Sequence, residues 1–253
     1  MAELGAPVRA AGRTRIITWN VQGSQGLDVG RCAAHLRSLR ADVIAIQEIL
    51  PGQAGALADA LGYRLIWKLK HAPLPRRHEG LSLLSSGPVN ASTSFVLRSA
   101  PWFSWRRRIA VVAHLAGLVV VNVHLSPGAD DGRRAAEVDR LLRHLSLTAD
   151  DGLVVCGDLN VEPPAASLEA LGEAGLVDAW ASAPTGAAGR GATNWTPGPR
   201  AGRPPTQRLD AVHLPSRWTV AGAWVPTDDL DEWARLSDHL PLVVDVEVPE
   251  PNG

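Results

Sequence analysis

Seven polar residues stand where a reactive site is easiest to build. Asn20, Glu48, His124, Asp158, Asn160 and the pair Asp238-His239 each lie at or just past the end of an apolar run, or in the turn that follows it. A carboxylate in such a setting is expensive to bury unless it is paired or binds a metal. Each group also has a plain structural reading: Asn20 as a turn former, Glu48 and Asp158 as helix-capping acids. Brought to one rim, the seven describe a site of oxygen ligands and imidazoles. Carboxylates and amides without a Cys/His cluster suit Mg2+, Mn2+ or Ca2+ and not a structural zinc. Such a set is equipped to hydrolyse a phosphate ester: the cation offsets developing charge, a carboxylate or histidine activates water, and Asn donates to a phosphate oxygen. The chain carries no G-x-x-x-x-G-K-[ST] loop, no G-x-S-x-G elbow and no G-x-G-x-x-G turn, so nucleotide-triphosphatase, serine-hydrolase and dinucleotide readings lose their main support.

The elements that must position these residues are legible from periodicity. Arg15 to Trp19 reads as a short apolar strand ending in the polar turn Asn20-Val21-Gln22-Gly23. Val29, Cys32, Ala33, Leu36 and Leu39 follow helical spacing, with Asp28 placed to cap the helix 28–40. Val43 to Ile46 is a buried strand before Gln47-Glu48, a short helix follows at about 52–61, and another strand runs from Tyr63 to Trp67. After a basic stretch at 68–78 come strand-like runs at 80–85, 92–97, 109–115 and 118–125, rich in Val and separated by turn residues as in antiparallel sheet. Ala135, Val138, Leu141, Leu142 and Leu145 mark an amphipathic helix, and the strand Leu153 to Cys156 enters Gly157-Asp158-Leu159-Asn160. A helix near 165–173 is followed by a long loop at 183–206, then by strands near 207–214, 218–225 and 240–248. That loop holds five Gly, five Pro, three Arg and no acid, and loops of this length are usually functional or disordered. The expected organisation is a tail at 1–13, one domain at 14–248 and a tail at 249–253. Two packed, mainly antiparallel sheets with flanking helices satisfy the tally.

At 253 residues the chain can bury roughly 70% of its unfolded surface. With 45% hydrophobic and 20% charged residues, and no apolar run near the ~18 residues of a membrane span, disordered, collagenous and transmembrane classes are excluded. The net charge is −1, but between Ala60 and Ala129 the only acid is Glu79, set against nine basic residues, among them Lys68, Lys70, Arg106, Arg107 and Arg108. Such asymmetry suggests one electropositive surface. Two cysteines, Cys32 and Cys156, sit in apolar segments and make no disulfide framework, and the N-terminal stretch lacks the apolar core of a secretory signal. A cytoplasmic, monomeric protein without an obligate protein partner is expected.

The runs Thr18-Trp19-Asn20-Val21-Gln22-Gly23, Gln47-Glu48, Val121-Asn122-Val123-His124-Leu125, Gly157-Asp158-Leu159-Asn160, Arg208-Leu209-Asp210 and Ser237-Asp238-His239-Leu240-Pro241 occur in this order. In that order and spacing the chain resembles the endonuclease/exonuclease/phosphatase superfamily over about residues 14 to 248. The resemblance implies the deoxyribonuclease I-like fold, a four-layer α/β sandwich. It also implies Mg2+, or Mn2+ in its place, as cofactor. Glu48 resembles the main metal-ligand glutamate, with Asn20 and Asp238 beside the metal. Asp158 and Asn160 resemble the pair that orients water and holds the phosphate. His239 resembles the site histidine and Asp210 its orienting carboxylate; Asp210 shares a strand face with apolar Val212 and Leu214, where a carboxylate needs a partner. His124 resembles the second histidine of the deoxyribonuclease, sphingomyelinase and phosphatase branches, an acid for the leaving oxygen. Glu79 stands where the deoxyribonuclease branch carries a glutamate that orients this histidine.

The same resemblance leaves several substrate classes open. Val21-Gln22-Gly23-Ser24 replaces the Asn-Gly-Leu-Arg of abasic-site endonucleases, and His124 replaces their Tyr, which argues against abasic-site repair. Trp102-Phe103-Ser104-Trp105-Arg106-Arg107-Arg108 mixes aromatics with cations, and Arg190, Arg200 and Arg203 lie in the long loop. Around a phosphate-cleaving site these suit a nucleic-acid strand, through phosphate pairing and base stacking. Arg106, Arg107 and Trp195 are the candidate substrate contacts, with Trp195 read either as a stacking residue or as a loop anchor. The same residues can serve a lipid headgroup or a small phosphorylated metabolite. A binding protein that has lost catalysis is the contrasting class and needs at least one broken motif, which this chain does not show.

Overall fold

The computed structural model describes residues 12–71, 78–99, 107–147, 149–184, 191–195 and 203–249. Residues 1–11 and 250–253 of the two expected tails, Arg106, the Trp102–Trp105 run and most of the loop 183–206 lie outside them, while Arg13, expected in the tail, opens the first strand. Among the described residues, twelve strands and six α-helices follow one another as β1 (Arg13–Asn20), α1 (Val29–Leu39), β2 (Val43–Ile49), α2 (Pro51–Leu61), β3 (Arg64–His71), β4 (Glu79–Ser85), β5 (Ala91–Arg98), β6 (Arg108–Leu115), β7 (Leu118–His124), α3 (Asp131–Leu145), β8 (Leu153–Asp158), α4 (Glu169–Glu173), β9 (Leu176–Asp178), α5 (Ala179–Ser182), β10 (Asp210–Pro215), β11 (Thr219–Trp224), α6 (Leu230–Leu236) and β12 (Leu242–Glu247). As expected, Asp28 caps α1, its side chain accepting from the Arg31 amide.

The strands form two six-stranded sheets, in the order β11-β12-β1-β2-β4-β3 and β5-β6-β7-β8-β10-β9. Each sheet is antiparallel except at one central pair: β1 runs parallel to β2, and β7 parallel to β8. These pairs are joined through α1 and α3, as a parallel connection requires. One apolar cluster fills the space between the sheets and the ground beneath α1, α2 and α6, with Ile44, Ile46, Val120, Val154, Leu36, Leu57 and Trp233 among its members. A second packs α3 and α4 on the outer face of the other sheet through Val121, Val155, Val138, Leu141 and Leu171. The result is the four-layer sandwich with two face-to-face sheets.

The parallel pairs decide where the site is. The C-terminal ends of β1 and β2 lie side by side, as do those of β7 and β8, where His124 is the register partner of Asp158. Antiparallel neighbours then bring their opposite ends to the same edge: Asp210, first in β10, pairs with Asp158, and Leu242, first in β12, pairs with Thr18. The start of β4 and the end of β3 join that edge through Gly80 beside Ile49 and His71 beside Glu79. Below it a polar pin crosses the core: Gln47 Nε2 donates to Thr18 Oγ1 at 3.0 Å and to Asn122 Oδ1 at 2.8 Å. Asn122 Nδ2 in turn donates to the Ile46 and Ser82 carbonyls. Neither sheet can slide without breaking these buried bonds.

One short strand and two helices were not expected from sequence. β9 has three residues and α5 four, too few for a period to show. α6 carries a readable signal, Asp229 accepting from the Glu232 amide ahead of the buried pair Trp233 and Leu236. The strand expected at Tyr63 to Trp67 continues to His71, so Lys70 belongs to β3 and not to a basic surface stretch.

Candidate active site

Local backbone geometry aims the carboxylates. A bulge in β2 between Gln47 and Ile49 places Glu48 at φ 58°, a left-handed conformation uncommon for a side-chain-bearing residue. Gly157, at φ 147°, meets the Val123 backbone so closely that a Cβ would strike its carbonyl oxygen. Only glycine therefore lets β8 lie against β7 one residue before Asp158. Asn160 turns at φ 53°, its amide N–H donating to Asp158 Oδ1 at 3.0 Å and its Nδ2 to the Leu125 carbonyl.

Asp158 is the centre of the arrangement. Its Oδ2 accepts from Asn20 Nδ2 at 3.0 Å and lies 3.6 Å from His124 Nε2 and 4.0 Å from His239 Nε2. His239 Nδ1 is 2.7 Å from Asp210 Oδ2, within a fully buried pair. Asp238 accepts from Gln22 Nε2 at 3.1 Å, and Ser237 Oγ ties the segment to β1 by donating to the Asn20 carbonyl. The structure thus brings Asn20, Glu48, His124, Asp158, Asn160, Asp210, Asp238 and His239 to one rim.

Burial shapes the proton affinities here. It opposes a charged ring at His239, yet the Asp210 carboxylate, with Asp158 and Asp238 behind it, carries that pKa up to about 10. Burial lifts Asp158 above the ordinary carboxylate range; His239 pulls it down, while Asp210 pushes the same way as burial. Asp238 is raised by burial, and the negative charges of Glu48 and Asp158 add to the rise. That crowding of oxygen donors is what a hard cation relieves. Among the described residues no three His, Cys, Asp or Glu side chains are grouped closely enough to hold a metal ion alone. Mg2+ does not require it, since it keeps several waters and binds through one or two carboxylates plus substrate phosphate. The donor set around Glu48 fits such an ion.

Other expected residues fall differently. Trp195, read from sequence either as a stacking residue or as a loop anchor, is 3% exposed, packs in the core and donates its Nε1–H to the Arg203 carbonyl at 2.8 Å, as an anchor does. Its neighbours explain the burial, because Asn194 bridges to His239 and the Trp195 amide donates to the Asp238 carbonyl, making this segment a strut beneath the site. Arg107 is exposed, its Nε donating to the Lys70 carbonyl. Glu79 is buried at the rim with Oε2 3.9 Å from Lys70 Nζ.

Two buried cations were missed. Lys70 is 2% exposed, with Nζ 3.2 Å from His124 Nδ1 and 3.6 Å from Glu48 Oε1. Burial lowers its pKa, against the pull of Glu48. Arg108 is buried with no hydrogen-bond partner for Nε, and burial lowers its pKa against the attraction of Glu137, Asp158 and Glu48. Read from composition, both belonged to an exposed basic patch. The signal that finds them is strand position: each lies at the rim end of an apolar strand, as the acids do.

The model of the Endonuclease/Exonuclease/phosphatase family matches residues 17–239. Solved structures with the same fold include an endonuclease/exonuclease/phosphatase from Bacteroides vulgatus, 19% identical with a TM-score of 0.73, covering 94% of this chain and 99% of that one. A mannosyl-6-phosphatase from Bacteroides thetaiotaomicron is 16% identical with a TM-score of 0.69, covering 92% of this chain and 99% of that one. D. rerio TDP2, complexed with single strand DNA product, is 20% identical with a TM-score of 0.67, covering 92% of this chain and 98% of that one. At these identities the likeness is one of fold. No curated protein matches the sequence. No helix among the described residues is long and apolar enough to cross a membrane.

Proposed function

The chain belongs to the endonuclease/exonuclease/phosphatase family, by its match over residues 17–239, and from that premise we propose that it is a divalent-metal-dependent phosphodiesterase acting on nucleic acid by in-line attack of water. One observation carries the reading: Asp158 Oδ2 stands between two imidazoles, 3.6 Å from His124 Nε2 and 4.0 Å from His239 Nε2. Proton acceptor and proton donor on either side of one phosphorus are what in-line displacement needs. Asp158, with its proton affinity raised by burial, takes the proton of the attacking water. His239, held as imidazolium by Asp210, stays charged and offsets negative charge on the phosphate oxygens. His124 gives a proton to the leaving oxygen, and Asn160 holds the phosphate. Mg2+ or Mn2+, held by Glu48 with Asn20 and Asp238 beside it, supplies further charge neutralisation when bound.

The exposed Arg107 at the rim suits a polyanionic strand. A second reading, hydrolysis of a phosphate monoester on a small ligand, is favoured by Lys70 and Arg108, two cations buried within the rim where a dianionic phosphate would be compensated. The deciding experiment compares plasmid DNA, single-stranded DNA, RNA, bis-p-nitrophenyl phosphate and p-nitrophenyl phosphate, with and without EDTA, beside His239→Ala. EDTA-sensitive, His239-dependent cleavage of polynucleotides is expected. Turnover of the monoester alone moves the assignment to the second reading.

A further inference from the structure

Ser126, two residues past His124, is bonded at every polar atom it has. Its amide donates to Glu137 Oε2 at 2.8 Å, its hydroxyl donates to Glu137 Oε1 at 2.5 Å, and its carbonyl accepts from Arg134 Nη1 at 3.2 Å. Glu137 and Arg134 stand three residues apart on one side of α3 and are 1% and 4% exposed. Arg98, the last residue of β5, adds a third donor to the carboxylate, its Nε lying 2.9 Å from Glu137 Oε1. Replacing buried charges of this kind with well-packed apolar groups is often neutral or stabilising, so stability alone does not account for them. The peptide that Glu137 holds reaches the site from its other side. The Leu125 carbonyl, in the same planar unit as the Ser126 N–H, accepts from Asn160 Nδ2 at 3.0 Å. A carboxylate pulling on the N–H of that unit polarises its carbonyl and strengthens it as an acceptor.

We propose that Glu137 is a positioning residue that orients the side-chain amide of Asn160 toward the phosphate through the Leu125–Ser126 peptide. The Asn160 backbone is held separately, by its N–H to Asp158 Oδ1, so what the Leu125 carbonyl governs is the direction of the side chain. A carbonyl only accepts, so it fixes the NH2 end of the amide against itself and leaves the second Nδ2–H for a phosphate oxygen. Glu137 does this without touching substrate. Helix α3, which joins the parallel strands β7 and β8, thus also aims the residue that follows β8. The inference rests on the phosphate-holding role proposed for Asn160 and deepens it.

Two measurements decide it. The first is NMR of the Asn160 side-chain NH2 group, assigned by its disappearance in Asn160→Asp. In Glu137→Gln, which keeps the shape and removes the charge, the Asn160 signals should shift while those of Asn122, in the buried pin below the site, stay in place. Unmoved Asn160 signals, or an equal movement of Asn122, would mean a brace that serves the fold alone and would overturn the proposal. This readout needs no turnover, so it still decides if no phosphate ester is cleaved and the phosphoesterase reading itself fails. The second is a double-mutant cycle on the hydrolysis of bis-p-nitrophenyl phosphate. Glu137→Gln should lower kcat/KM about 10-fold and Asn160→Ala about 100-fold. Added to Asn160→Ala, the Glu137 substitution should cost less than about 2-fold more, because the residue it acts through is gone. Losses that multiply, or no loss in Glu137→Gln alone, overturn the assignment. If circular dichroism shows Glu137→Gln unfolded, Ser126→Ala, which removes only the hydroxyl bond, takes its place in both measurements with smaller changes of the same sign.

Discussion

The two ends of strand β1 carry buried charge in opposite ways. Near its start Arg15 is 2% exposed and fully engaged: Nε and Nη2 donate to the two oxygens of Asp245 at 2.7 and 2.8 Å, Nη1 donates to the Leu39 carbonyl, and the guanidinium lies 4.7 Å over the Trp224 ring. At its other end Asn20 opens onto a rim where, beside the close His239–Asp210 pair at 2.7 Å, the distances from Asp158 to the two histidines and from Lys70 to Glu48 run from 3.6 to 4.0 Å and the guanidinium Nε of Arg108 has no partner. One end is closed, its bonds bidentate and complete, as in ion pairs that only hold a fold. The other is left loose, with groups raised or lowered in proton affinity by burial, and that unmet demand is what a phosphate and its cation would satisfy.

Removing a charge therefore has opposite consequences at the two ends. The largest effect belongs to the open end. Asp158→Ala should lower turnover by about a thousandfold or more while thermal melting shows no loss of stability, because a carboxylate that resists ionisation is no asset to the fold. A destabilised but active variant would reverse the roles assigned to the two ends. At the closed end, Arg15→Met should cost about 3–5 kcal/mol in urea unfolding, since Asp245 is left buried without a partner, and turnover per folded molecule should not change. The double variant with Asp245→Leu should recover much of that loss.

A buried group far from both ends sharpens the contrast. His213 on β10 is pressed down to about 4 by burial, with Asp178 pulling the other way, so the fold favours its neutral ring. Its contribution is complete above pH 6.5, the ordinary value, and disappears as the pH falls through 4. Stability should thus decline over that window by on the order of 3 kcal/mol. His213→Phe should flatten the slope without altering the pH profile of activity; an unchanged slope would place the titrating group elsewhere. The smallest expected change is in stability for Arg108→Gln, within about 1 kcal/mol of wild type, because no hydrogen bond is broken at Nε. Its effect should appear in KM, raised severalfold for anionic substrates.

Most of the sandwich was legible in the chain, because strands with buried Val and Ile and helices with Asp28-type caps announce themselves locally. What escaped was short or ambiguous: β9 and α5 lack a full period, and the last residues of β3 look like a charged loop because Lys68, Lys70 and His71 are polar. The motif residues of the site were readable for a different reason. Each sits at a strand end beside a glycine or a turn, a local pattern that survives in one dimension. Trp195 was ambiguous, since a tryptophan in a Gly/Pro loop looks the same as a stacking platform or as an anchor; only its burial and its bond to Arg203 decide.

By itself, then, the sequence determined the types of group available, their place at strand ends, and through them the family and its phosphate-ester chemistry. Tertiary structure decided which ends meet. Two parallel pairs, one in each sheet, turn the carboxyl ends of β1, β2, β7 and β8 to the same edge, and antiparallel neighbours bring Asp210, His239, Lys70 and Arg108 to it. That edge also decided which charges are paired. Arg15 and Arg108 are the same residue type at the ends of two strands, and what separates them is that the strand opposing Arg15 places a carboxylate within about 3 Å of its Nε, whereas the Nε of Arg108 has no partner.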